Sequence, residues 1–257
     1  MLKISRQAVY RYRQRQGSDQ TQALAAIPQI LTFRQLMPRV GGRKLLRHLP
    51  ELGIGRDKFF DILRSHGLLV KRRRKYAITT NSNHALPVYP NLLPEATADA
   101  PNQIWVADQT YIRSRSRFCY LSLVTDLCSR LIVGYDVSPT LEATGSARAL
   151  QMALATVPEP CGLIHHSDRG KQYCSLEYTQ LLKEHGCRIS MTAPRRPDQN
   201  AVAERVNGIL KTEFYLDAMF NSLEEARQAI VQSIYIYNNI RLHLSLGYLT
   251  PSLRHAA

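Results

Sequence analysis

Residues 105–112 read WVADQTYI, a strand with a carboxylate in it. Apolar or β-branched residues alternate through Ile104, Val106, Thr110 and Ile112, while Trp105, Ala107 and Tyr111 fill the other face, so both sides of this strand are expected to be covered. Asp108 lies in the middle. An ionised carboxylate buried there without a partner costs several kcal/mol, which calls for a cationic neighbour. By itself the stretch is also compatible with an Asp at a frayed strand end, paired with an arginine. Residues further along bear on that choice.

Working outward, two more strand-like runs follow at hairpin spacing, FCYLSLVTD at 118–126 and RLIVGYDVS at 130–138. A helical stretch at 142–155 carries Ala143, Ala147, Leu150 and Leu154 on one face, and a short strand at 163–167 ends at Asp168. Helices are expected over 175–186, 201–217 and 222–239, with a strand at 188–191. The order βββαβαβαα implies an α/β domain, a mixed sheet flanked by helices, over 102–257.

Upstream the text is different. Residues 1–27 form a polar, basic arm or helix with few core positions, expected to need DNA or a partner to order it. Residues 28–78 read as a small all-α unit of three short helices with glycine-containing turns, the pattern of a helix-turn-helix DNA-binding domain. Its third helix, about 56–66, carries Arg56, Lys58 and Arg64, and the run Lys71, Arg72, Arg73, Arg74, Lys75 follows at once. Residues 79–101 hold four prolines and no clear periodicity, as a linker would.

The 257 residues carry a net charge of +14, and all of the excess lies in residues 1–85, with 18 Lys/Arg against 4 Asp/Glu. Charge segregated in this way is an electrostatic footprint for a polyanion. A nucleic acid fits it better than a membrane, because no strongly amphipathic basic helix accompanies it. No run of about 18 apolar residues and no signal-peptide core appears, so no membrane association and a cytoplasmic location are expected. The five cysteines are scattered and include no CxxC, which argues against disulfides and structural zinc.

Asp108 gains meaning from two other carboxylates. Asp168 follows a strand in HHSDRGKQY, and Glu204 opens a helix in NAVAERVNGILKTE. Carboxylates from mid-strand, a strand end and a helix's first turns can converge at a sheet edge and hold hard divalent cations, and two such ions about 3.5–4 Å apart clamp an in-line phosphoryl transfer. Lys211, seven residues after Glu204, returns to nearly the same helix face, where an ammonium would meet phosphate. Glu213 is expected on the opposite face and indifferent. Histidines ending a buried strand, as His165 and His166 do, are commonly structural, and Asp126 and Asp136 also sit in strand-like runs. The choice among the carboxylates therefore rests on recognised spacing as well as physics.

Four segments carry a resemblance: WVADQTYI from Trp105, HSDRGKQY from His166, NAVAERVNGILKTE from Asn200 and YNNIRLHLSLGYLTP from Tyr237. In order and spacing they resemble the downstream-frame (OrfB) transposases of IS-three-type insertion sequences, members of the DDE superfamily with retroviral integrases. SRQAVYRYR and the GGRKLL stretch also look like that family's N-terminal region.

The resemblance implies a ribonuclease H-like fold with Asp108, Asp168 and Glu204 as a catalytic, metal-binding triad. It implies Mg2+ as cofactor, with Mn2+ as substitute, and transposon-end and target DNA as substrates. A homo-oligomer on DNA and an upstream-frame (OrfA) partner or fusion follow from it too. His166, Asn200 and Arg241 are auxiliary candidates. The family ordinarily has Asp directly before the Asn-Ala of the third motif, where this chain has Gln199, with Asp198 one earlier.

Two rival readings share these features: a catalytically inactive, transposase-derived DNA-binding protein, and a plain nuclease, which would need no basic N-terminal unit. The charge asymmetry predicts that residues 1–85 supply most non-specific DNA affinity, with a log–log salt slope near −0.9 per phosphate neutralised. A 102–257 fragment should bind far more weakly in a salt titration. Equal affinity and slope for the two fragments would refute this.

Overall fold

A computed structural model describes residues 5–71, 86–115, 118–194 and 196–257; for 12–19 and Pro197 it describes the backbone alone. Arg72, Arg73, Arg74 and Lys75, part of the basic run, lie outside the described residues. The chain divides into two compact units, Met1–Arg73 and Arg74–Ala257.

The first unit contains α1 (Arg6–Leu36), α2 (Gly42–His48) and α3 (Arg56–Ser65). Where the sequence suggested an arm or helix over 1–27 and a separate short helix after it, α1 is one continuous helix, capped by Ser5, whose hydroxyl accepts from the Ala8 N–H. It passes through Pro28 because a buried stripe, Ala23, Ala26 and Ile30, spans both sides of the proline. The carbonyl that Pro28 cannot serve belongs to Leu24, on the exposed side where water can satisfy it. Phe59, Ile62 and Leu63 give α3 its buried face.

The second unit is built on a mixed sheet. Strands β1 (Ile104–Ser114), β2 (Phe118–Asp126) and β3 (Ile132–Ser138) form an antiparallel meander, and β4 (Ile164–Ser167) and β5 (Arg188–Met191) add in parallel on the other side of β1. The order is β3-β2-β1-β4-β5. Helix α4 (Ala143–Leu154) crosses over from β3 to β4, and α5 (Lys171–Cys174) and α6 (Leu176–Glu184) connect β4 to β5. Then come α7 (Ala201–Glu213), a two-residue β6 (Met219–Phe220) on the far end of β1, α8 (Leu223–Asn239) and α9 (Pro251–Ala256). Helix α7 stops four residues short of the expected end, and Tyr215 turns the chain with a left-handed φ of 60°.

One core cluster joins Trp105, Ala107, Val124 and Val133 of the sheet to Ala149, Leu150 and Ala153 of α4 and Tyr178 of α6. Small residues on α4 let it lie close to the sheet. At Gly134 the fit is tightest: a Cβ there would stand 2.1 Å from the Ala149 carbonyl oxygen. The end of α8 is stitched to β3 by Asn238, whose amide bonds both the N–H and the carbonyl of Ile132 at 3.0 Å. Among the described residues no helix is long and apolar enough to cross a membrane, and all five cysteines are free.

Gly134→Ala should therefore push α4 off the sheet and cost about 1–3 kcal/mol, the usual range for overpacking. Gly208→Ala, where a Cβ meets nothing within 4 Å on a helix, should stabilise slightly. Thermal melts of the two variants against the parent check the opposite signs.

Candidate active site

Register places the first two carboxylates. Parallel pairing sets Ala107 opposite Ser167, the last pair between β1 and β4, so Asp108 and Asp168 leave that pairing side by side. Asp168 then turns, its Oδ1 accepting from the Gly170 N–H at 2.8 Å. Helix α7 brings the third. Asn200, just before it, donates to the Ala107 carbonyl at 2.9 Å and pins the helix start to β1. Glu204 lies in the first turns, exposed, and Asn207, one turn on, donates to Asp108 Oδ2 at 2.8 Å. The other Asp108 oxygen accepts from the Gln109 N–H at 2.9 Å.

The cation expected beside Asp108 is thus not among its hydrogen-bond partners, which are neutral. Asp108 keeps some solvent contact but is closely enclosed, and burial, then the charge of Asp168, raise its pKa to about 7. Hydrogen bonds from Asn207 and Gln109 pull it down, and Glu204 adds a further push upward. Both other carboxylates therefore act on Asp108. Lys211 lies half-buried with its ammonium 4.4 Å over the Tyr111 ring centroid. Burial lowers its pKa, the Asp108 and Asp217 charges work against that, and Arg113 adds to the lowering.

The remaining candidates separate by their partners. His166 is buried, its Nδ1 2.8 Å from Ser190 Oγ, and burial lowers its pKa to about 4, leaving it neutral at pH 7. His165 pairs with Tyr178 OH at 2.9 Å and is lowered to about 3 by burial and then by His166. Asp126 closes the β2–β3 turn, accepting from the N–H and hydroxyl of Ser129 at 2.7 Å and from the Asn102 N–H. Asp136 forms a forked ion pair with Arg148 at 2.9 Å.

Arg241 grips Glu213 at the end of α7 through two bonds of 2.9 Å, with side chains only 4% and 15% exposed. Glu213 is therefore not an indifferent surface residue. Breaking a buried pair of this kind costs roughly 3–5 kcal/mol. In the N-terminal unit Arg56 and Arg64 are exposed and paired with Asp57 and Asp61, Lys58 is half-buried and Lys71 exposed.

Sequence reasoning missed Asn207 and Tyr111. Helical spacing could have found Asn207, three residues after Glu204 and four before Lys211 on one face. The Tyr111 contact had no such signal, because α7 meets β1 only in the folded chain. Among the described residues no group of three or more His, Cys, Asp or Glu side chains stands close enough to hold a metal ion. The donor set nonetheless suits a hard divalent cation, being all oxygen and carrying a repulsion that such a charge relieves.

Residues 98–197 match one family model described as integrase core domain, and residues 185–251 match a second of the same description. The chain is 37% identical over 255 residues to "Insertion element IS600 uncharacterized 31 kDa protein" of Shigella sonnei, covering 97% of this chain and 94% of that one. To "Transposase InsF for insertion sequence IS3A" of Escherichia coli (strain K12) it is 40% identical over 191 residues, 74% of this chain and 66% of the relative. In three dimensions it resembles a chain of the simian T-cell lymphotropic virus intasome in complex with PP2A regulatory subunit B56 gamma. The TM-score is 0.54 at 20% identity, over 89% of this chain and 74% of the other. That likeness is one of fold, the ribonuclease H-like mixed sheet flanked by helices.

The raised Asp108 pKa fixes the sign of a pH effect. Between about 4, where the carboxyl ionises in the unfolded chain, and about 7, where it does so in the fold, the native state holds a proton that the unfolded state has lost. Stability from this group is therefore present at low pH and lost as pH rises through 7. Asp108→Asn, measured in chelator, should gain on the parent across that window, by up to about 4 kcal/mol above pH 7. The histidine contributions run the other way, being lost as pH falls below about 6.5, but both proteins share them. Denaturant unfolding at several pH values checks this; a constant difference would refute it.

Proposed function

Because the chain belongs to the insertion-sequence transposases of the IS3 type, which carry an integrase core domain, we propose that it cuts DNA at insertion-sequence ends and joins them to a target, using Asp108, Asp168 and Glu204. The observation that carries this reading is the juxtaposition of the carboxylates: Asp108 and Asp168 follow the last β1–β4 pair side by side, Asn207 of the helix that carries Glu204 bonds Asp108, and the charges of Asp168 and Glu204 push Asp108 upward. Electrostatic strain between acids set side by side is poor design for stability, and it suits a site that receives a divalent cation.

Asp108, Asp168 and Glu204 would hold Mg2+, or Mn2+ in its place. When bound, a pair of such cations stabilises the attacking and leaving oxygens of an in-line displacement at phosphorus. The chain's own residues prepare for this. Asn207 fixes one Asp108 oxygen, the Gly170 N–H fixes Asp168, and Asn200 sets the height of Glu204 by tying α7 to β1. Lys211 offers a half-buried ammonium to a phosphate. In the first step water attacks the phosphate and the bond to the 3′-oxygen breaks, leaving a 3′-hydroxyl. In the second that hydroxyl attacks a target phosphate, which gives up its own 3′-oxygen.

The basic unit serves the same reading as a helix-turn-helix domain over 28–78, with Arg56, Lys58, Arg64 and the 71–75 run on duplex phosphates. The residue 79–101 linker would join it to the catalytic domain of 102–257. Joining two ends calls for two such sites, hence a homo-oligomer on DNA, with an upstream-frame partner or fusion supplying further contacts. The place of action is the cytoplasm, on the nucleoid.

Asp108→Asn, Asp168→Asn and Glu204→Gln should each reduce magnesium-dependent nicking of a labelled insertion-sequence-end duplex to background while leaving the fold intact. Asp136→Asn, paired with Arg148 instead, should still nick. Retained nicking in any of the three would overturn the assignment, and no nicking by the parent would favour the DNA-binding remnant.

A further inference from the structure

Beyond Asp108, β1 carries side chains that the reading above leaves unused. Its pairing with β4 stops at Ala107, while pairing with β2 runs on to Arg113 opposite Phe118. On this free stretch Tyr111 meets Phe118 edge to face, centroids 5.4 Å apart at 79°. Tyr111 and Arg113 lie two residues apart on one face of the strand, and Phe118, across from Arg113, shares that face. Phe118 is 50% exposed and Met219, on the other side of Arg113, is 63% exposed. Lys211 reaches over the Tyr111 ring from α7, and Arg113 is near enough for its charge to bear on Lys211.

A core role would hide Phe118, and a plain charged rim would have no use for two rings. Rings that stack on bases of any sequence, beside cations that take phosphates, make up the composition with which proteins hold single strands. Tyr111 is three residues along the strand from Asp108, about 10 Å at the usual strand rise and on the alternate face; α7 spans the two, its Asn207 bonding Asp108 and its Lys211 lying over the Tyr111 ring. A strand end held at the carboxylates would reach it within a few nucleotides.

We propose that Tyr111, Phe118, Arg113 and Lys211 form a stacking platform for unpaired nucleotides at the tip of the DNA end, a proposal that rests on the DNA-cleaving reading. The rings grip bases released by fraying, and the two cations follow the backbone. The platform therefore favours a frayed tip over a paired one, and does so before any chemistry.

The test uses the full chain without metal, titrated into two fluorescent insertion-sequence-end duplexes that differ only in a few mismatched terminal pairs. The parent should bind the mismatched tip more tightly. Tyr111→Leu and Phe118→Leu should each weaken binding to that duplex by roughly 5- to 150-fold and change binding to the paired duplex little, while Tyr111→Phe should retain the preference. Phe118→Leu alters an exposed ring, so it decides the matter even if Tyr111→Leu fails to fold. Equal affinity of the parent for both duplexes, or a preference that survives Phe118→Leu, overturns the platform. Magnesium-dependent nicking of the paired duplex by the parent is scored beside it. Nicking without a preference removes the platform alone, and a preference without nicking removes the cleavage reading alone.

Discussion

The register between β1 and β4 is the constraint on which the site depends. With Ala107 opposite Ser167, the next residue of each chain is an aspartate, and the two leave the parallel pairing together. A slip of one residue would turn one of them to the other face of the sheet. The neighbours that result repel each other, and the repulsion adds to the desolvation that lifts Asp108 to about 7. Hydrogen bonds from Asn207 and Gln109 hold Asp108, and one from Gly170 holds Asp168. The surrounding fold bears that cost.

Helix α7 is fixed at both ends, which is how the charge of a third carboxylate far along the chain comes to act on Asp108. At its start Asn200 bonds the Ala107 carbonyl on the strand that carries Asp108. At its end Glu213 is held by Arg241, from the segment after α8, in a nearly buried forked pair. Glu204, Asn207 and Lys211 lie between these anchors. Gln199, where the resemblance would have placed an aspartate, accepts from the Ala193 N–H and closes the loop leading into the helix. A neutral side chain thus makes that loop contact.

Carboxylates and histidines that look alike in the sequence part company through their partners. Asp126 is more deeply buried than Asp108, yet it is saturated by Ser129 and Asn102 and works as a turn closure. Asp136 is neutralised by Arg148. His165 and His166 are kept neutral by burial and spend hydrogen bonds on Tyr178 and Ser190, which suits brackets between β4 and its neighbours better than proton carriers.

The sequence by itself determined the strand and helix order of the second unit, its mixed sheet, and the spacing of Asp108, Asp168 and Glu204, because periodicity and turn chemistry are local and survive in one dimension. It also showed where the positive charge lies. It could not tell that α1 runs on through Pro28, since the buried stripe that holds the helix together depends on what packs against it. Nor could it tell that Asp126 closes a turn and Asp136 pairs with Arg148, or that Glu213 is clamped and Tyr111 lies beneath Lys211. Those facts depend on contacts between residues far apart in the chain, and on the burial that makes such contacts strong. Only tertiary structure decides them, because a pKa, an ion pair or a cation over a ring belongs to a neighbourhood and not to a residue.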